Sequence, residues 1–296
     1  MATLARTLPG INRSASNFWN IFRDNKKALF GLAVMVFFVL MATVGPLIVP
    51  LDLTSNVANR FQTPSLKHPL GTDFAGRDTL AQLVHGSRDV LTTAFLAACF
   101  TVGIGAIIGA LAGLRGGWAD TLLMRLTDVM LTVPSFPVLM ILAVSFKVQD
   151  PVSIGLLLSV WAWAGLARAV RSEVLSLKQR EFIEAARLLR LSTSHIIFGE
   201  LLPNLMGYIT LNFIRTMRGA LTASIGLMFL GLIPYSPTNW GVMFNLAIYQ
   251  TGSIYIHRAI FYVLAPMGAI ILFQYGALCF ASGLEAVFDP RLRAHE

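Results

Sequence analysis

Side chains able to do chemistry are few in this sequence, and their spacing argues against catalysis. His68, His85, His195, His257 and His295 are scattered, none has a partner at metal-ligand spacing, and solvated or interfacial histidines are expected. No Gly-Lys pair exists, so there is no phosphate-cradling loop, and His-Glu-x-x-His and Gly-x-Ser-x-Gly are both absent. Cys99 and Cys279 each sit among apolar neighbours and read as small core residues rather than thiolate ligands. The chain is therefore expected to be non-catalytic, with no metal site. What remains are charges and small residues in unusual settings. Arg125 and Asp128 lie three apart in an apolar stretch, as do Arg215 and Arg218. Asp73, Arg77 and Asp78 cluster beside Gly71 and Gly76, and a charged, helix-like run spans residues 181–190.

The elements that must position these groups are membrane spans. Of 296 residues, 55% are hydrophobic and 13% charged, about half the roughly 25% charge of a soluble domain. The apolar residues gather in blocks near the ~20-residue length that crosses a bilayer. Windows at 28–51, 90–114, 119–146, 151–167, 201–233 and 259–284 predict an all-α, polytopic membrane protein with six transmembrane helices. Pro234, Ser236 and Pro237 end the fifth window, and 235–256 is where a partial or re-entrant element is expected.

Loop charge sets the expected orientation. Residues 1–27, read as an N-terminal arm ahead of the 28–296 membrane domain, carry five Lys or Arg, and the loop at 168–200 carries six. With Arg115, Arg291 and Arg293 this gives fourteen on one side, against Arg60, Lys67, Arg77, Arg88, Lys147 and Arg258 on the other. Both termini are predicted cytoplasmic, in a plasma (inner) membrane. Topology thus accounts for the net charge of +8, and nucleic acid is not needed as a partner. The first block is too long for a signal-peptide core and is read as a retained span.

The loop at 168–200 holds 33 residues, within which 181–190 predicts a short amphipathic helix. Glu181, Glu184 and Arg187 mark its polar side, Phe182, Ile183, Ala186 and Leu189 can dock, and Ala185-Ala186 admits another surface closely. From the residues alone, such a helix could also lie on lipid headgroups. On the second span Gly105, Gly109 and Gly113 recur every fourth residue, a face where another helix backbone approaches.

Glu184-Ala185-Ala186, followed by Ile197 and Leu202-Pro203-Asn204, resembles the EAA loop of the membrane subunits of binding-protein-dependent ABC importers. His68-Pro69-Leu70-Gly71-Thr72-Asp73-Phe74-Ala75-Gly76-Arg77-Asp78 is similar to the external-loop signature of the dipeptide, oligopeptide and nickel permeases, specifically their second membrane subunit. Gly116-Gly117-Trp118, Pro134-Ser135, Val170-Arg171-Ser172-Glu173, Phe229-Leu230-Gly231-Leu232 and Trp240-Gly241-Val242-Met243 fit in order, so the resemblance runs from about Phe18 to Arg293. One departure is Arg190, where the family usually has Gly. The helix there is expected to run on or to turn by another route.

The resemblance implies the type I permease fold of ABC importers and a subunit forming half of a pathway for short peptides. It implies a homologous permease partner, two cytoplasmic ATPase subunits holding ATP and magnesium, and an extracellular or periplasmic solute-binding protein. Residues 181–190 (Glu181, Phe182, Glu184, Ala185, Ala186, Arg187, Leu189, Arg190) would form the ATPase-coupling helix. The loop 52–89, with His68, Gly71, Asp73, Gly76, Arg77 and Asp78, would form an external lid, its acidic and basic residues satisfying one another. Some relatives carry oligosaccharides or nickel chelates.

Arg125 and Asp128 are expected to pair with each other. Arg215 and Arg218 depart from the family pattern; with Asn212 and Ser224 they are candidate pathway residues, though they equally fit pairing with a partner subunit's acids. A self-powered secondary transporter or channel is the rival from another class. It would be expected to show inverted repeats, broken helices or paired intramembrane acids, and Asp128 is the only acid deep in a predicted span. A receptor that only senses ATPase state would share the coupling helix.

Overall fold

Asp78 starts the longest element: its carboxylate accepts from Ala81 N–H at 2.8 Å, satisfying a helix-end donor. In the computed structural model, residues 22–23, 25–146, 148–233 and 236–288 are described. The arm 1–21 with Arg6 and Arg13, Lys147, Pro234 and the tail 289–296 with Arg291, Arg293 and His295 lie outside the described residues. The main helices are α1 (Lys26–Thr43), α2 (Thr79–Arg115), α3 (Gly117–Thr132), α4 (Ser135–Phe146), α5 (Pro151–Leu177), α6 (Glu181–Leu188), α7 (Met206–Phe229), α8 (Trp240–Asn245) and α9 (Ile260–Phe288). Short helical turns join several of them. Among the described residues the one β feature is a single bridge, Thr72 to Asp78.

Helices α1, α2, α5 and α9 are long and apolar enough to cross a bilayer. The third predicted span is not one helix: α3 and α4 meet at a bend of 87°. Pro134 explains it, since proline drives the preceding Val133 to extended backbone (φ −90°, ψ 130°) and removes a helical donor. Helix α7 has spanning length but carries Arg215 and Arg218. Two helices outrun the apolar windows. Helix α2 begins at Thr79, so the loop before it is 52–78, and α5 continues to Leu177, so its connection to α7 starts at Lys178. Both extensions carry charged residues that a bilayer window does not count. At the start of α5, Asp150 caps the helix, and the hydroxyl and N–H of Ser153 hold its carboxyl below the ordinary value. The segment 235–256 contains α8 and a π-helical turn, Leu246–Gln250.

Close backbone approach joins the bundle. A Cβ on Gly109 would lie 2.4 Å from the carbonyl oxygen of Ala167 and 2.8 Å from Val170 Cβ, with Gly105 and Gly113 flanking it against the same helix α5. Gly31 of α1 sits equally tightly on the backbone of Cys279 and Phe280 in α9. Phe38, fully buried, packs between Phe273 at 5.4 Å and Trp240 at 5.8 Å between ring centroids. Trp240 in turn donates its indole N–H to Leu83 O at 2.9 Å, fixing α8 to α2. Because carbonyl oxygens cannot move aside as a flexible side chain does, Gly109→Val should cost about 1–3 kcal/mol or more through overpacking. The check is the apparent Tm and yield of the purified chain; a wild-type Tm would refute the contact.

Candidate functional site

Two structured regions stand at opposite ends of the long helices. Among the described residues no group of three or more His, Cys, Asp or Glu lies close enough to hold a metal.

The first region is residues 52–78, folded around Asp73. The Asp73 side chain is fully buried. Its Oδ1 accepts from the N–H groups of Ala75 (2.8 Å) and Arg77 (2.9 Å). Its Oδ2 accepts from Arg77 Nε (2.7 Å) and Gln82 Nε2 (3.0 Å). The Arg77 guanidinium also covers the ring of Phe74, 5.1 Å from its centroid, and Phe74 packs edge-on against Tyr262 of α9. His68 Nδ1 lies 2.7 Å from Asp78 Oδ2, and His85 Nε2 lies 2.8 Å from Val49 O, so both histidines are engaged within the chain rather than freely solvated. Gly71 (φ 72°) and Gly76 (φ 79°) take left-handed backbone where chain crosses chain: a Cβ at Gly76 would come 1.9 Å from Asn56 O. A charged turn and two glycines therefore close one compact cap, held onto α2 and α9.

The second region is α6. Ile183 is fully buried and Ala186 nearly so, in a cluster with Leu114 of α2, Val170 and Val174 of α5, and Ile196, Ile197 and Leu201 of the turn leading to α7. Phe182 is half-buried against them, while Glu181, Glu184, Ala185, Arg187 and Arg190 face outward. Glu181 and Glu184 in the first turn and Arg187 in the last complement the helix dipole. The apolar pattern puts Leu189 on the docking face, but it is 73% exposed, and Leu188 beside it is 79% exposed. The reason is where the helix stops. Arg190 itself adopts left-handed backbone (φ 51°), its N–H donates to Arg187 O, and Leu191 N–H reaches back to Ala186 O at 3.1 Å. This is the Schellman arrangement that glycine normally terminates, and it turns Leu189 away from the buried stripe. A side chain in that backbone costs about 1–2 kcal/mol, partly offset by the unfolded-chain entropy that glycine adds. Arg190→Gly should thus stabilise the chain by about 1 kcal/mol or less, read as a raised apparent Tm; a lowered Tm would show that the arginine side chain holds the turn.

Polar ties join the helices that α6 packs against. Arg171 of α5 grips Asp120 of α3 with two hydrogen bonds of 2.5 Å, and Lys178 Nζ donates to Gly113 O of α2 at 3.1 Å. Arg125 and Asp128 do not pair with each other: Asp128 pairs with Arg168, forty residues on, because the end of α5 lies alongside α3.

The four polar candidates on α7 are all engaged inside the chain. Asn212 Nδ2 donates to Tyr208 O, and Ser224 is buried and donates to Leu221 O. Arg215 pairs with Glu285, a residue just beyond the sixth predicted window that α9 continues through. Arg218 Nε donates to Gln274 Oε1 at 3.0 Å, and Gln274 Nε2 returns to Arg218 O and to Thr222 Oγ1 at 2.7 Å. Arg215 and Arg218 thus fasten α7 to α9, a contact hidden from the sequence because their partners are 70 and 56 residues away, while Asn212 and Ser224 bond within α7.

A bundle of long apolar helices with a folded cap at one end and a short, half-exposed helix at the other defines the membrane subunit of a transporter. The chain belongs to the binding-protein-dependent transport system inner membrane components, the permeases of ABC importers, whose family model matches residues 105–294. Residues 15–66 match the N-terminal TM domain of oligopeptide transport permease C. The oligopeptide transport system permease protein OppC of Bacillus subtilis is 33% identical over 274 residues, covering 92% of this chain and 88% of that protein. The dipeptide transport system permease protein DppC of the same organism is 34% identical over 277 residues (93% and 85%). A putative peptide permease protein of Brucella suis is 30% identical over 293 residues (97% and 95%).

Proposed function

We propose that this chain forms half of the membrane pathway of an ATP-driven importer of short peptides. In this reading it pairs with a homologous permease, takes solute from an extracellular or periplasmic binding protein, and is driven by two cytoplasmic ATPase subunits that hold ATP and magnesium. Counting α3 with α4 as one bent span and α7 as another gives six, and with that count the loop charge supports a cytoplasmic position for both termini and α6. The cap at 52–78 then faces the binding protein, and its closed hydrogen-bond network around buried Asp73 supports an alignment role.

The observation that carries the coupling role is the division of α6: Ile183 and Ala186 are buried against α2 and α5 while the opposite surface is exposed. A push on that surface meets α2 and α5 through the cluster of Ile183 and Ala186 with Leu114, Val170 and Val174, and α5 is tied to α3 by Arg171–Asp120. The peptide class rests on the relatives' assignments as oligopeptide and dipeptide permeases. The test is purification with native partners, followed by ATPase activity with and without peptide-loaded binding protein. Stimulated ATPase in the copurified complex supports the reading; a chain that purifies alone and moves solute along an ion gradient overturns it.

A further inference from the structure

At the α6 end of the bundle an open pocket of about 450 Å³ lies between the ends of α2 and α5, α6 itself and the turns that lead to α7. Arg115, Lys178 and Arg187 line it, with half-buried Thr193 beside them and no carboxylate, over the buried Leu114 and Ile196. Among the described residues the side chains of Arg115 and Arg187, both exposed, have no hydrogen-bond or ion-pair partner. Lys178 commits one donor to Gly113 O at 3.1 Å, which leaves two of the three that an ammonium carries. Farther back along α5 the situation is the reverse: Arg168 and Arg171 are held by Asp128 and Asp120 of α3. Positive charge is thus neutralised where α5 meets α3 and left uncompensated around this pocket. Its level along the bundle points to the source of a matching anion. The charge-free window of α2 ends at Leu114, and Arg115 is the first charge after it. Trp118, three residues on and so at most about 11 Å away from Cα to Cα, is 79% exposed, and Leu122 one helical turn later is 59% exposed. An indole and a leucine this open suit the border between lipid headgroups and acyl chains.

We infer that this pocket holds the phosphate of an anionic lipid headgroup. The guanidiniums of Arg115 and Arg187 are planar donor forks that match the non-ester oxygens of a phosphodiester, and the Lys178 ammonium adds a third positive charge already fixed in place by Gly113 O. Leu114 and Ile196 give the glycerol end of the lipid an apolar floor. Basic pockets between the ends of membrane helices take headgroups of this kind, and a zwitterionic lipid, whose own cation would face the three in the pocket, is disfavoured. The selectivity holds whichever leaflet that end of the bundle meets.

The test is lipid titration of the delipidated full chain, with the partners that copurify, comparing phosphatidylglycerol and phosphatidylcholine affinities by native mass spectrometry. The wild type should bind one phosphatidylglycerol at least about tenfold more tightly than phosphatidylcholine, and Arg115→Gln with Arg187→Gln should remove that advantage. Arg115→Gln alone, a change outside α6, should lower it about fivefold, whereas Arg115→Lys should keep most of it. Both arginines are exposed, so apparent Tm should stay at the wild-type value in each variant. Equal affinities in the wild type, or an undiminished advantage in the double variant, overturns the site. Protection of Arg115 from phenylglyoxal by inorganic phosphate as effectively as by phosphatidylglycerol overturns the lipid assignment in favour of a soluble phosphate. Loss of a copurified ATPase from Arg115→Gln with the lipid advantage intact also overturns it, by assigning these cations to a protein contact.

Discussion

Replacing Asp73 by Asn is expected to destabilise the cap at 52–78 by about 3–5 kcal/mol, the range for breaking a buried ion pair by removing one partner. Every oxygen of this carboxylate is committed: Oδ1 to two backbone N–H groups, Oδ2 to Arg77 and Gln82. An amide side chain has one acceptor oxygen and one donor nitrogen, so either orientation of the substituted amide would turn an N–H against existing donors. It would also strand the Arg77 guanidinium, whose side chain is only 10% exposed. The exposed Arg215–Glu285 and Arg168–Asp128 pairs are half or more open on at least one side, and loss of either should cost far less. The measurement is apparent Tm and proteolytic protection of 52–78 in Asp73→Asn, Arg77→Met and the double variant. A cap that depends on the pair predicts a double variant less damaged than the sum of the singles. An unchanged Tm in Asp73→Asn would show that the network is decorative.

The legible part of this protein is the part that obeys one-dimensional rules. Charge-free windows locate α1 and the apolar half of α2, and the fourfold repeat of Gly105, Gly109 and Gly113 points to the α2–α5 contact. The start of α2 at Thr79 escapes an apolar window because His85, Arg88 and Asp89 interrupt the run, although Asp78 followed by Leu80, Leu83 and Val84 is a readable N-cap signal. Pro134 carries the signal for the break in the third span, but hydropathy averages over it. The partners of the in-span charges are not legible. Spacing of three suggests that Arg125 meets Asp128, yet Asp128 meets Arg168, because helix–helix geometry outranks local spacing once α5 lies alongside. Arg215 and Arg218 find Glu285 and Gln274 for the same reason.

The paired substitution Leu188→Asp with Leu189→Asp is expected to release the ATPase subunits while leaving this chain folded. Both side chains are more than 70% exposed, so placing carboxylates there disturbs almost no internal packing. Ile183 and Ala186, which hold α6 to the bundle, are untouched. Two adjacent exposed leucines beyond a helix already anchored on its other side are costly in water unless a partner covers them. Burying them would contribute about 1.5–3 kcal/mol each, so their loss should weaken ATPase capture by two orders of magnitude or more. The control is Ile183→Asp, which puts a charge into the cluster with Leu114 and Val174 and should lower Tm as well as capture. The measurements are the ratio of copurified ATPase to permease and the apparent Tm of the permease. A retained ATPase in the double leucine variant would move the contact to the other exposed residues, Glu181, Glu184 and Ala185. A lost ATPase with an unchanged Tm fixes the transmitting surface to the end of α6 that the left-handed turn at Arg190 exposes.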